Sequence, residues 1–328
     1  KLKIKLLNRK IIKLYRIFEK DFKIKDPFVV AVSGGSDSLA LAFLTKIYSI
    51  INNLDCKYLI IDHKLRVNST IEAKKVQKVL KEFNIKAEIL TWYGSKPYKN
   101  IQSMARKKRY ELLFSKCKKF KISYLITGHH LNDLVENFFI RMIRGSGLKG
   151  LVSLEKEVII SSIKVVRPLL NFNKKDLEFI SHFVFNFFVR DPSNENDIFK
   201  RIKIRKLLKQ FENEGLDQDK LFLTLKNLKK SNEALKFYVQ QNKDLNSYFR
   251  GKSNELVLNR KFFDQPYEVV FRSLSDSLKT IGGKYYSARG KKIDYIIAKI
   301  SKNTLKKETL GGCILKKVNQ TVIITREY

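Results

Sequence analysis

Acidic residues are scarce in this chain of 328 residues: 32 Asp and Glu face 67 Lys and Arg, a formal net charge of +35. That imbalance points to a polyanionic partner, because neutralisation of phosphates by Lys and Arg drives nucleic-acid binding. Cysteine is rarer still. The three, Cys56, Cys117 and Cys313, are scattered, with no CxxC and no Cys/His pair at metal spacing. Neither a zinc site nor a disulfide framework is suggested, and a reducing cytoplasm fits. No apolar run reaches the roughly 18 residues that span a bilayer, so no membrane partner is expected. The opening stretch KLKIKLLNRKIIKLYRIF has neither a long apolar core nor a cleavage site. It reads as a basic amphipathic helix packed on the domain rather than a signal peptide. No internal repeat is visible. What remains is ample for packed cores: 44% hydrophobic residues, in a chain long enough for about two domains.

The chain is organised around FVVAVSGGSDSLALAFL, Phe28 to Leu44. Phe28 to Val32 reads as a buried strand, and Leu39 to Ile51 as an apolar-periodic helix. Between them lie Ser33, Gly34, Gly35, Ser36, Asp37 and Ser38. Two glycines permit a sharp turn and close backbone approach to a ligand. The turn ends at a helix start, where free N–H groups and the dipole favour an anion. Ser33, Ser36 and Ser38 can donate to phosphate oxygens, and Asp37 can hold the Mg²⁺ that accompanies a nucleotide. No lysine follows the glycines, so this is not the GxxxxGK[ST] loop. A plain strand-to-helix turn would not require two glycines, three hydroxyls and an Asp together.

Further strands are expected at Lys57–Asp62, Ile85–Thr91 and Tyr124–Thr127, with helices between them. The second strand runs into Asp62-His63-Lys64-Leu65-Arg66. The third is followed by a helix carrying Arg106 and Arg109 on one face. The fourth ends in Gly128-His129-His130-Leu131-Asn132-Asp133-Leu134-Val135-Glu136-Asn137. If the sheet reverses between the first and fourth strands, the glycine loop and this segment face one crevice. Asp133 and Glu136, three apart on a helix, suit Mg²⁺ or an ammonium group. Arg144-Gly145-Ser146-Gly147 supplies a cation on a flexible loop or, more plainly, caps a helix.

Beyond this, Val165–Leu170 reads as another strand and Lys174–Phe188 as a helix. Arg190-Asp191-Pro192-Ser193-Asn194 reads as a turn, and the stretch to Leu208 as a basic helix suited to an RNA backbone. One long helix is expected over Leu221–Tyr248. Thr309 to Glu327 alternates as a hairpin around Val318-Asn319-Gln320. Residues 1–215 form one expected domain and 216–328 a helical linker with a smaller α+β domain. The Gly282-to-Gly290 turn, with Tyr285 and Tyr286, is rich in aromatics and cations.

SGGSDS after a strand resembles the pyrophosphate loop of the N-type ATP pyrophosphatases. DHKLR, NIQ..AR..RY, GHHLNDLVEN running into RGSGLKGL, and DPSN, in that order, narrow the resemblance to the tRNA(Ile)-lysidine synthases. Asn132 stands where that family has Asp, and Asn137 where it has Thr. The resemblance implies a Rossmann-like parallel α/β sheet (adenine nucleotide α hydrolase-like) with helices on both faces. It implies ATP, Mg²⁺, free L-lysine and the isoleucine tRNA with a CAU anticodon, and no protein partner. Ser33, Gly34, Gly35, Ser36, Asp37, Ser38, His63 and Gly128 would bind the nucleotide, with Asp37 on Mg²⁺. Asp133 and Glu136 would orient lysine or metal, and His130, Arg106 and Arg144 would stabilise the adenylation transition state. Thiolation of tRNA by a related enzyme, a small-molecule ligase and a non-catalytic RNA-binding protein are the alternatives.

Overall fold

The computed structural model describes residues 8–94, 101–189, 200–251, 255–284 and 287–327. The chain divides between Phe222 and Leu223 into two compact units.

The first unit opens with α1 (Arg9–Asp21), capped by Asn8, whose side chain accepts from the N–H groups of Lys10 and Ile11. Ile11, Leu14, Tyr15 and Phe18 fall on one helical face and are all buried. Phe18 stacks on Phe22 at 4.8 Å between centroids and meets Tyr48 edge-on at 6.2 Å. The basic opening stretch, where described, is thus a helix docked on the domain.

The central sheet has the order β3-β2-β1-β4-β6-β5. Its strands are β1 (Phe28–Val32), β2 (Cys56–Asp62), β3 (Ala87–Thr91), β4 (Tyr124–Ile126), β5 (Glu157–Ile160) and β6 (Ile163–Val166). All neighbours pair in parallel except β5, which is antiparallel to β6 on the edge. β1 is apolar throughout because it is covered on both sides. Successive side chains of a strand point to opposite faces. Phe28, Val30 and Val32 accordingly join one apolar cluster, and Val29 joins another with Leu59, Leu113, Cys117, Leu125 and Val165. The helices are α2 (Ser36–Ile51), α3 (Ser69–Glu82), α4 (Ile101–Lys119), α5 (Leu131–Ile143), α6 (Leu148–Leu151), α7 (Lys174–Phe185) and α8 (Lys200–Asn213). β1 pairs with β2 on one side and with β4 on the other. The strand order therefore reverses between β1 and β4, as expected.

Local expectations differ in places, and the strand expected at Val165–Leu170 runs instead over Ile163–Val166. Edge strand β5 was not foreseen, although Val158, Ile159 and Ile160 make it apolar. Helix α7 stops at Phe185 rather than running to Phe188, because Asn186 adopts a left-handed φ of 48° and closes the helix. Arg190–Asn194 lies outside the described residues.

The second unit takes up most of α9 (Gln218–Asn246), close to the single long helix expected. Ser247 and Tyr248 belong instead to strand β7 (Ser247–Arg250). With β8 (Glu255–Leu258), β9 (Lys307–Leu310), β10 (Cys313–Val318) and β11 (Thr321–Arg326) it forms an antiparallel sheet of order β7-β8-β11-β10-β9. Asn319, with φ of 53°, turns the expected β10–β11 hairpin. Leu256, Leu258, Leu315 and Ile324 pack with helices α11 (Tyr267–Ile281) and α12 (Gly290–Ser301), which follow the short α10 (Arg260–Phe263). Tyr285 and Tyr286 lie outside the described residues. Among the described residues, no helix is long and apolar enough to cross a membrane.

Candidate active site

The loop after β1 owes its shape to its glycines and one serine. Gly34 has φ of +87°, and a Cβ there would lie 2.5 Å from Val76 Cγ2. Its carbonyl accepts the Val189 N–H at 2.9 Å. The Ser38 hydroxyl donates to the Gly35 carbonyl at 2.9 Å and accepts the Ser33 N–H at 3.1 Å. Ser33 Oγ sits 3.1 Å from Ser38 Oγ. Ser38 thus braces the turn from inside, and Ser36 is buried too. Of the three hydroxyls expected to face phosphate, that of Ser38 is turned inward and fixes the loop, while that of Ser36 accepts the Lys174 ammonium at 2.9 Å.

Gly128 brings the second segment against this loop: a Cβ there would touch the Asp37 carbonyl at 3.4 Å. His130, 6% exposed, caps α5. Its Nδ1 accepts the Asn132 N–H at 3.3 Å, while Asp133 Oδ2 accepts the His130 N–H at 3.0 Å. His130 Nε2 then lies 3.6 Å from Asp37 Oδ2 and 3.7 Å from Asp133 Oδ2. The structure therefore brings Asp37, Gly128, His130 and Asp133 together at the β1/β4 reversal.

The other expected residues are placed differently. Glu136 is 2% exposed and turned to α8, where Arg205 Nε donates to its Oε1 at 2.6 Å. Its Oε2 is buried without a partner. Burial pushes the Glu136 carboxyl up, against the opposing pull of Arg205. Burial also raises Asp133, but its interactions with His130 and His129 and the hydrogen bond from the His130 N–H outweigh it and hold that carboxyl low. The two acids share a helix without sharing partners. Arg106 is exposed and lies over the Tyr110 ring at 5.1 Å. Arg109 Nε instead approaches His63 Nε2 at 3.4 Å. His63 edges onto Trp92 at 6.3 Å and, with Lys64, Trp92, Tyr93 and Gly94, lines a small cavity at the ends of β2 and β3. Arg144 is exposed at the C-terminal cap of α5. At 1.5 Å per residue it stands about 20 Å along the helix from His130.

Lys174 and Ser181, at the site, carried no sequence signal of their own, unlike Asp62 and Arg167. Lys174, first residue of α7, donates its ammonium to both Asp37 oxygens at 2.8 and 2.9 Å and to Ser36 Oγ at 2.9 Å. Ser181 Oγ, on the same helix, donates to the Ser36 carbonyl at 2.5 Å. Arg167 is buried and donates to the Glu155 carbonyl at 2.7 Å. Asp62 accepts from Lys64 N–H, Ser69 and Thr70, which shapes the β2 exit. Lys174 could have been suspected only from its place beside Asn173, the N-cap of α7.

Burial lowers His129 to about 3, with Arg167, Arg106 and Arg201 adding to the effect and Asp133 opposing it. Burial and then Arg109 lower His63 to about 4. Both are neutral in the folded chain but take a proton near 6.5 when unfolded. A depressed pKa stabilises fully above the unfolded value and loses that contribution as pH falls toward the folded one. The melting temperature is expected to drop as pH falls from 7 toward 4. Each histidine adds a slope of at most about 1.4 kcal/mol per pH unit. His129→Asn should flatten the lower part of that curve; an unchanged curve would refute this origin.

A parallel sheet with a glycine-and-hydroxyl loop over its reversal point defines a nucleotide-binding α/β protein, and residues 6–211 match the PP-loop domain family. The tRNA(Ile)-lysidine synthase of Orientia tsutsugamushi (strain Boryong) is 34% identical over 320 residues, covering 94% of this chain and 71% of that protein. That of Wolbachia pipientis wMel is 34% identical, covering 91% and 70%. The chain belongs to the tRNA(Ile)-lysidine synthase family. In fold it is similar to the solved U34-tRNA thiolase NcsA from Methanococcus maripaludis, with a TM-score of 0.59 at 16% identity over 68% of this chain and 79% of that one.

Proposed function

We propose that this protein ligates lysine to C2 of the wobble cytidine of tRNA(Ile) with a CAU anticodon, using ATP and releasing AMP and pyrophosphate. One observation supports the reading above others: the glycine loop and the His130–Asp133 cap meet at the β1/β4 reversal, with His130 Nε2 3.6 Å from Asp37 Oδ2. In the first step the cytidine C2 oxygen attacks the α-phosphorus. A P–O bond forms, the α–β anhydride breaks and pyrophosphate leaves with the electron pair. In the second, the lysine ε-amine attacks C2. A C–N bond forms, the C–O bond breaks, AMP departs and the nitrogen gives up a proton. Adenylation is required because a carbonyl oxygen is a poor leaving group.

The loop amides around Gly34 and Gly35 hold the triphosphate tail. His130 would serve as a hydrogen-bond donor to negative charge developing at the α-phosphate. Asp37 is the carboxylate for Mg²⁺, an ion that takes one or two carboxylates and otherwise phosphate oxygens and water. Mg²⁺, when bound, supplies charge neutralisation on the leaving pyrophosphate. Asp133 and Glu136 are the acids assigned to the lysine ammonium, and the cytoplasm is where these substrates meet. A thiolation reading would call on sulfur near the loop. Cys56 is half-buried at the start of β2, and Cys117 and Cys313 are buried.

Incubation with total tRNA, ATP and labelled lysine tests the proposal. Label fixed to tRNA through an alkali-resistant bond is the expected result, and AMP release without RNA labelling would refute it. Arg201, Lys203 and Lys209 are exposed along α8. If they meet tRNA phosphates, Lys203→Ala with Lys209→Ala should reduce the log–log salt slope of tRNA binding by about 1–2. An unaltered slope would remove α8 from the interface.

A further inference from the structure

An ammonium already occupies the carboxylate proposed for the metal. Lys174 Nζ bridges both oxygens of Asp37 and the Ser36 hydroxyl, all within 2.9 Å. The contact is held in place from several sides. Asn173 caps α7 by accepting the Asp176 N–H at 2.8 Å, which fixes where Lys174 leaves the helix. Ser181, about two turns further along the same face, ties α7 to the loop backbone through the Ser36 carbonyl. The same helix packs Leu177 and Ile180, both fully buried, into the core beneath the loop. The stem of Lys174 is therefore anchored while its head, with a side chain 38% exposed, keeps room to move. A four-carbon stem lets an ammonium swing between acceptors a few ångströms apart, which a guanidinium fork does less readily.

We propose that Lys174 is a travelling counter-ion of the phosphate loop, seated on Asp37 while the loop is empty and transferred to the triphosphate tail when ATP enters. The inference rests on the reading that this loop takes the ATP tail. Two things follow from the geometry. While the loop is empty, the positive charge on Asp37 discourages a bare divalent cation from binding there. Once polyphosphate oxygens arrive, they compete for the ammonium and free Asp37. The ammonium, within reach of the departing pyrophosphate, then stabilises charge that grows as the α–β bond breaks, which makes Lys174 a catalytic residue. Charge is conserved at the site throughout, since the lysine is passed from one anion to another.

The test uses the full chain and Lys174→Met, which keeps the stem and removes the charge. Mn²⁺ binding without nucleotide is read by electron paramagnetic resonance. Exchange of pyrophosphate into ATP is read with tRNA present. Mn²⁺ alone should bind the variant about tenfold more tightly, and exchange should fall about a hundredfold in kcat with a smaller change in the KM for ATP. Lys174→Arg should recover part of the exchange, since charge is restored without the same reach. Unchanged Mn²⁺ affinity together with unchanged kcat would overturn the proposal and leave a structural ion pair. If Lys174→Met does not fold, the arginine variant and wild-type Mn²⁺ titrations decide: wild-type protein that binds Mn²⁺ equally well with and without a non-hydrolysable ATP analogue refutes the transfer. Wild-type protein that labels no RNA with lysine would sink the ligase reading alone, because the Mn²⁺ comparison still judges Lys174.

Discussion

Asp37→Ala is expected to lower tRNA-dependent exchange of pyrophosphate into ATP by at least about a thousandfold, equivalent to about 4 kcal/mol of transition-state stabilisation. The reason is the concentration of charge at one carboxylate. Asp37 faces the Lys174 ammonium at 2.8 Å and the His130 ring at 3.6 Å. It also stands in the first turn of α2, beside the amides that would hold the phosphates. Removing it leaves two donors without their anion and no carboxylate at the loop for a divalent cation. The loss should appear in kcat more than in the KM for ATP, since the glycine amides and the bracing serine remain. Stability should change little, because the side chain lies at the rim. The measurement is exchange kinetics beside a thermal melt of the same preparation. Exchange within tenfold of wild type would show that the loop works without this acid.

Gly34→Ala should be nearly as severe, by a steric route. The native φ of +87° is one that L side chains rarely adopt, and the new Cβ would sit 2.5 Å from Val76 Cγ2. Val76 is 1% exposed, so it has nowhere to retreat. Left-handed backbone costs about 1–2 kcal/mol for a residue with a Cβ, and overpacking adds a further 1–3. The loop is expected to escape this by shifting, which would break the Val189 N–H to Gly34 carbonyl bond and misdirect the amides. ATP affinity should fall by about a hundredfold or more, roughly 3 kcal/mol, with a lower melting temperature. Adding Val76→Ala relieves the clash but not the φ, so the pair should regain stability ahead of ATP binding. Full recovery of binding in the pair would show that the clash alone mattered.

Particular residues show how far the sequence could be read. Phe28 to Val32 announced a strand buried on both faces, since five apolar residues in a row have no exposed side to spare. SGGSDS announced a loop for an anion, since glycine pairs with hydroxyls have few other uses at a strand-to-helix turn. The β1/β4 reversal followed from where the chemistry-bearing segments fell. The partners of these residues were another matter. Asp133 and Glu136 share a helical spacing, but one caps α5 through His130 and the other is drawn to Arg205, 69 positions away. Arg106 and Arg109 looked equivalent, and only Arg109 reaches His63.

The sequence by itself determined most element types, the loop that takes an anion and the resemblance to tRNA(Ile)-lysidine synthases, because each of these is written in neighbouring residues. Only the tertiary structure decided that Lys174 faces Asp37, that Ser38 braces the turn instead of facing outward, and that Glu136 leans to α8. Those choices depend on side chains 69 and 137 positions apart or on the direction in which a rotamer points. Neither is encoded in local spacing, and both are settled by the packing of helices on the sheet.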